Sequence, residues 1–141
     1  MSHFAVNWLA VVLATVASFA FGAAWYMILS KQWLAAIGKT RDQINSADYT
    51  PYIWSAVLLF VMAYFIALLT PALLGSTSIT NGLIVGAHMW LGFVITSMII
   101  NHRYEGAPWS RTVIDGGYLL GVLLIDGVVI GLFGGGSVPA A

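Results

Sequence analysis

Residues 52–70 read YIWSAVLLFVMAYFIALLT, an apolar run without one charged side chain, preceded by Pro51 and followed by Pro71. A helix needs about 20 mostly apolar residues to cross about 30 Å of hydrocarbon. This run meets that length. Pro51 suits its start, where a missing amide costs nothing, and Pro71 marks its expected end. Three further stretches share its character, at about 4–29, 80–101 and 112–133. Closed β-barrels also cross membranes, but their strands alternate apolar and polar residues over about 10 positions. These continuous, longer runs point to helices. The expected fold is all-α: a four-transmembrane-helix bundle forming a single integral-membrane domain over residues 1–141.

Composition leads to the same class. Of 141 residues, 60% are apolar and 7% charged, whereas a soluble domain carries about 25% charge. Five Lys and Arg balance five Asp and Glu, so the basic surface that nucleic-acid binding requires is missing. The chain has no cysteine, which removes disulfides, thiolate metal sites and cysteine nucleophiles. No cofactor motif is visible, and the expected partner is the lipid bilayer itself. The first run lacks Lys or Arg ahead of it and is too long for a cleaved signal, so it is expected to be retained.

Charge sets a direction. Lys31, Lys39 and Arg41 lie between the first two runs, and Arg103 and Arg111 between the last two. Four antiparallel spans bring these loops to one end. The positive-inside rule makes that end cytoplasmic, with both termini outside; a bacterial inner membrane is the expected location. Within the 30–50 connector, Trp33, Leu34 and Ile37 share a helical face, which predicts a short amphipathic segment at the interface. Gly38 is expected to end it. Thr40 and Gln43 have capping-box spacing.

Helical periodicity separates packing faces from lipid faces. In the first run Asn7, Val11, Ala14, Ser18, Gly22 and Trp25 form a small and polar seam, with Leu9, Val12, Val16, Phe19 and Met27 assigned to lipid. The second run has a seam at Ala56, Ala63, Ala67 and Thr70. Gly82 with Gly86, Gly117 with Gly121, and Gly127 with Gly131 make three Gly-x-x-x-Gly pairs, the pattern of closely crossing membrane helices. The partner of each crossing is left open between this chain and a second copy.

Asp126 is the first candidate for chemistry. An acid near the centre of a membrane helix costs about 2.5–3.5 kcal/mol on insertion scales, so a partner, a wet cavity or protonation must offset it. His88 sits at similar depth and is a candidate partner for proton handling. The simpler alternative is polar glue, with Asp126 satisfied by Ser, Thr or backbone. Asp115 lies three turns earlier on the same face, with Gly117, Gly121 and Gly131 roughly opposite. Trp25, Tyr26, Trp33, Asn101, Glu105 and Tyr118 form a second candidate cluster, at the basic end. His102 and Glu105 are spaced i, i+3, but no second such pair completes a metal site. Hydrolase, phosphate-loop, dinucleotide and zinc-protease motifs are absent.

Asn7-Trp8, Gly22-Ala23-Ala24-Trp25-Tyr26, Lys31-Gln32-Trp33, Trp90-Leu91-Gly92-Phe93, Glu105 and Gly117-Tyr118 together resemble the domain-of-unknown-function family 1761. The resemblance covers nearly the whole chain and implies a small four-span membrane protein with no established activity. The chain departs from the family pattern at Met27, Asp115 and Leu119, where Pro, Asn and His are common. Three functional readings follow. The leading one is a non-enzymatic accessory or self-associating membrane subunit, a homo-oligomer or part of a larger complex. The second is a small transporter, proton-linked through Asp126 and His88. The third is an enzyme or binder for a lipid-soluble ligand at the cytoplasmic aromatic cluster.

Overall fold

A computed structural model describes residues 5–134. Among them there is no strand, and four helical segments are long and apolar enough to cross a membrane. Helix α1 spans Trp8–Ile28, α2 Ser30–Ile37, α3 Thr50–Leu74, α4 Ile79–Met89, α5 Ile95–Tyr104 and α6 Trp109–Phe133. A π-helical turn, Trp90–Val94, joins α4 to α5, so the third span is one helical rod. The expected start of the first span at Phe4 lies outside the described residues.

Local chemistry explains the ends. The Asn7 side chain accepts from the Ala10 amide at 3.2 Å and caps α1, and Ser78 caps α4 in the same way through the Asn81 amide. Such caps satisfy amides that have no partner in the first turn. A single residue, Leu29, separates α1 from α2. Gly38 ends α2 at φ +70°, a left-handed conformation that costs glycine nothing. The Gln43 side chain accepts from the Thr40 amide at 2.9 Å, closing one half of the anticipated capping box.

Pro71 does not end the second span. Helix α3 runs one turn further, to Leu74, and stops at Gly75 with φ +83°. The ring costs the helix one amide donor and disfavours helical backbone at Thr70. The Thr70 hydroxyl donates back to the Ile66 carbonyl at 2.6 Å; the acceptor that Pro71 leaves without its amide is the next carbonyl, that of Ala67.

Helix α6 is the central element, packing against α1, α3 and α4. Ala10, Val11, Ala14, Ala63, Ile66, Ala67, Val85, Leu123 and Ile130 form the core. The α1 seam is buried at Val11, Ala14, Ser18 and Gly22 as its periodicity requires. Three sequence assignments are corrected. Asn7, expected in the α1 seam, is exposed at the N-cap. Ala56 is exposed, and its neighbours Ser55 and Leu59 turn inward instead. Phe19 lines a cavity, because α2 and the connector fold back over its side of α1.

The glycine pairs are used inside the chain. A Cβ built on Gly82 would lie 2.7 Å from Gly127 Cα, and one on Gly86 would lie 2.7 Å from the Leu123 carbonyl oxygen. Gly131 meets the Ile79 backbone, Gly22 the Tyr118 ring, Gly121 the Phe21 ring and Gly117 the Trp25 ring. Gly117 and Gly121 therefore border α1, the helix that the two acids of α6 also face, whereas Gly127 and Gly131 border α4. Of the three glycines expected opposite the acids, Gly131 borders α4, whereas Gly117 and Gly121 are met by aromatic side chains of α1 that reach around α6.

Overpacking a tight contact costs typically about 1–3 kcal/mol. Gly127→Ala is expected to lower stability by that order in a denaturant titration of the detergent-solubilised protein. Gly92 has open space where a Cβ would stand, and Gly92→Ala should be neutral or stabilising by up to about 1 kcal/mol. Equal responses from the two variants would contradict the close α4–α6 crossing.

Candidate functional site

The polar residues singled out in the sequence fall into three separate places. The first lies inside the bundle. Asp126 and Ser18 are both fully buried, and the Ser18 hydroxyl donates to Asp126 Oδ1 at 2.9 Å. Asp126 Oδ2 has no partner among the described residues. His88 does not meet Asp126. It stands on the exposed side of α4, with Nδ1 2.7 Å from its own helix's Ile84 carbonyl oxygen. Counting from the span ends put both residues at one level, but the Gly82–Gly127 and Gly86–Leu123 contacts set His88 more than a turn from Asp126 along α6, and the glycine face of α4 carries it outward. The anticipated Asp126–His88 pair is thus replaced by an Asp126–Ser18 pair.

The second place is the far side of the basic end. His102 Nδ1 lies 2.7 Å from the Thr112 hydroxyl. Arg103 donates to Thr112 Oγ1 and to the Ala107 carbonyl, each at 3.0 Å, and stacks 3.6 Å above the Trp109 ring. Glu105 is exposed and pairs with Arg111 at 3.7 Å. Asn101 is exposed as well. His102 and Glu105 have different partners, and no group of three His, Asp or Glu that could hold a metal occurs among the described residues. This arrangement ties α5 to the start of α6.

The third place is a half-open chamber of about 970 Å³ between the C-terminal half of α1, α2, the connector and the first turns of α3. Tyr26, Trp33 and Tyr118 from the predicted cluster line it. The Tyr26 ring meets Trp33 edge-on at 5.7 Å and Tyr118 edge-on at 5.2 Å between centroids, favourable aromatic geometries. Behind this wall the Tyr26 hydroxyl donates to Asp115 Oδ1 at 2.6 Å, and the Trp25 indole donates to the Ile114 carbonyl at 3.0 Å. Both bonds fix α1 against α6, so the wall is held by its own backing. Gly22 makes room for the Tyr118 ring, since a Cβ there would lie 2.7 Å from Tyr118 Cε1. Asn101 and Glu105 do not reach the chamber.

Sequence reading missed a second part of the lining. Phe19 of α1, Leu34 of α2 and Ser55 and Leu59 of α3 belong to it, with Arg41 and Ser46 from the connector. Ser55 and Leu59 are one helical turn apart, and that polar–apolar pair was the available signal. Nothing in the sequence signals that the connector folds back over α1. Pockets of about 300–1,000 Å³ with mainly apolar walls and a few polar groups are the usual form of small-molecule sites. The chamber has that form.

A family model described as a protein of unknown function, DUF1761, matches residues 9–131. No curated protein and no solved structure gives a significant match to the chain.

A buried acceptor that loses its donor costs about 1–3 kcal/mol. Ser18→Ala is therefore expected to lower stability by that order in thermal melts of the detergent-solubilised protein. Asp126→Asn keeps an acceptor oxygen for Ser18 and cannot ionise, so it should melt at or above the wild-type temperature. A silent Ser18→Ala would show that this bond carries no stability.

Proposed function

We propose that this chain, which belongs to the DUF1761 family of proteins of unknown function, is a membrane protein that holds a lipid-soluble ligand in the chamber at its basic end. One observation carries the reading: a half-open space of about 970 Å³ with an aromatic wall of Tyr26, Trp33 and Tyr118. The rigid backing of that wall through Tyr26–Asp115 and Trp25–Ile114 supports a preformed site. The proposed role is binding, and no catalytic step is required of the residues present.

The other readings have less support. The glycine seams that suggested self-association are occupied by contacts within the chain. The proton-linked pathway loses its second titratable group, because His88 faces away from Asp126. The charge distribution supports a cytoplasmic setting for the chamber, since all five Lys and Arg belong to the two connections at that end. The termini would then lie on the opposite side.

Native mass spectrometry of the detergent-purified full chain should find a lipid-soluble molecule retained at about one per chain, the stoichiometry of a single site. Ser55→Trp, which fills the chamber, should abolish that retention. Leu132→Phe, on an exposed surface near the other end of α6, should leave it unchanged. Retention that survives Ser55→Trp would overturn the proposal.

A further inference from the structure

The chamber's charge is unbalanced, and that imbalance narrows the class of ligand. Arg41 is the sole charged side chain on the lining, and no carboxylate shares it. Of the three arginines, Arg103 is held by Thr112, a carbonyl and the Trp109 ring, and Arg111 by Glu105. Arg41 makes only a long hydrogen bond of 3.5 Å to the Ser30 hydroxyl, and no ion pair among the described residues. Its guanidinium presents five donors in a planar fork, the geometry that takes a phosphate oxygen pair.

The acids of the same connector do not occupy it. Asp42 is not on the lining. Asp48 Oδ1 accepts from the Thr50 amide at 3.0 Å. Bonds from the Thr50 side chain and amide hold the Asp48 carboxyl below the usual carboxylate range. The hydroxyls of Ser30 and Ser55 add polar contacts, and beneath them Leu34 and Leu59 form an apolar wall.

Position separates a lipid from a soluble anion. Arg41 lies in the connection between two membrane-spanning helices, at the level where lipid headgroups lie and basic residues meet anionic lipid. Met27, 75% exposed, lines the chamber on the outer surface of α1, so the apolar wall continues onto the face that acyl chains cover. We infer that the occupant is an anionic phospholipid, its phosphate held at Arg41 and one acyl chain laid against the wall between α1 and α3. This rests on the chamber being a ligand site, as proposed above.

The test titrates the delipidated full chain in detergent with phosphatidylglycerol, phosphatidylcholine or inorganic phosphate, and reads bound lipid by native mass spectrometry. Phosphatidylcholine offers the same phosphate but adds a quaternary ammonium whose charge opposes that of Arg41, so phosphatidylglycerol should be favoured over it by about tenfold. Arg41→Gln should erase that preference, and Arg41→Lys should restore part of it. Arg41 is exposed, so neither change threatens the fold. Filling the chamber with Ser55→Trp, or with Ala23→Phe if the first variant does not fold, should remove both lipids.

A preference that survives Arg41→Gln would overturn the anionic assignment while leaving the chamber reading intact. Lipid retention that survives a folded chamber-filling variant would overturn the chamber reading itself. Inorganic phosphate that displaces phosphatidylglycerol from the wild-type chain at equimolar concentration would show that the acyl chain adds nothing, make the ligand a soluble anion and overturn the lipid assignment.

Discussion

Where α4 crosses α6, the backbone of Gly82 lies directly against that of Gly127, with no side chain between them. Between membrane helices there is little hydrophobic drive, because lipid tails are as apolar as leucine. Association then depends on how closely two surfaces can approach and how many atoms touch. Glycine at both positions allows the closest approach available to two helices. With α4 drawn in on one side, α6 still has surface for α1 and α3 and becomes the element that all the others contact. The tight crossing therefore sets the position of Asp126 against Ser18 and of Tyr118 over Gly22.

The interior satisfies its polar groups locally and sparingly. Trp25 and Trp90 donate their indole N–H groups to the Ile114 and Gly116 carbonyls of α6, which retain a lone pair beyond the helical bond. Thr96 and Ser97, on an exposed face, return their hydroxyls to the preceding turn. Against this economy the chamber is different. It gathers Arg41, Ser46 and Ser55 beside aromatic rings with few internal partners for them. A cluster of uncommitted polar groups is what distinguishes a binding surface from a packing surface.

The four spans were legible because hydrophobic length and a 3.6-residue period are local properties of the chain. The α1 seam and the glycine pairs follow from the same period. Levels along the membrane normal could be read only roughly, and azimuth could not be read at all. The glycine crossing puts Asp126 level with Leu83 and His88 more than a turn away, on the outer side of α4, so Ser18 of α1 is the partner that Asp126 meets. The same ambiguity grouped Asn101 and Glu105 with Tyr26, Trp33 and Tyr118, though they belong to the other flank. It also placed Ala56 inward where Ser55 and Leu59 turn in. The chamber's second wall depends on a long polar connector folding back, and such contacts leave no periodic signal.

The π-helical turn in the third span has a geometric effect on what one rod can present. A turn closed by i to i+5 bonding holds one residue more than the α-helix, which corresponds to a rotation of about 100° in the faces that follow. Gly82 and Gly86 before it face the Gly127 and Leu123 backbone, while Ile95 and Met98 after it pack over Gly116. Trp90, at the junction, bonds to the Gly116 carbonyl at 2.8 Å. The two halves are therefore phased independently against a single straight partner, like a screw whose thread is re-cut midway. A one-residue deletion at this point can be absorbed by a return to regular α-helical pitch, so among the four spans the third has a built-in place where length can change while both halves keep their contacts with α6.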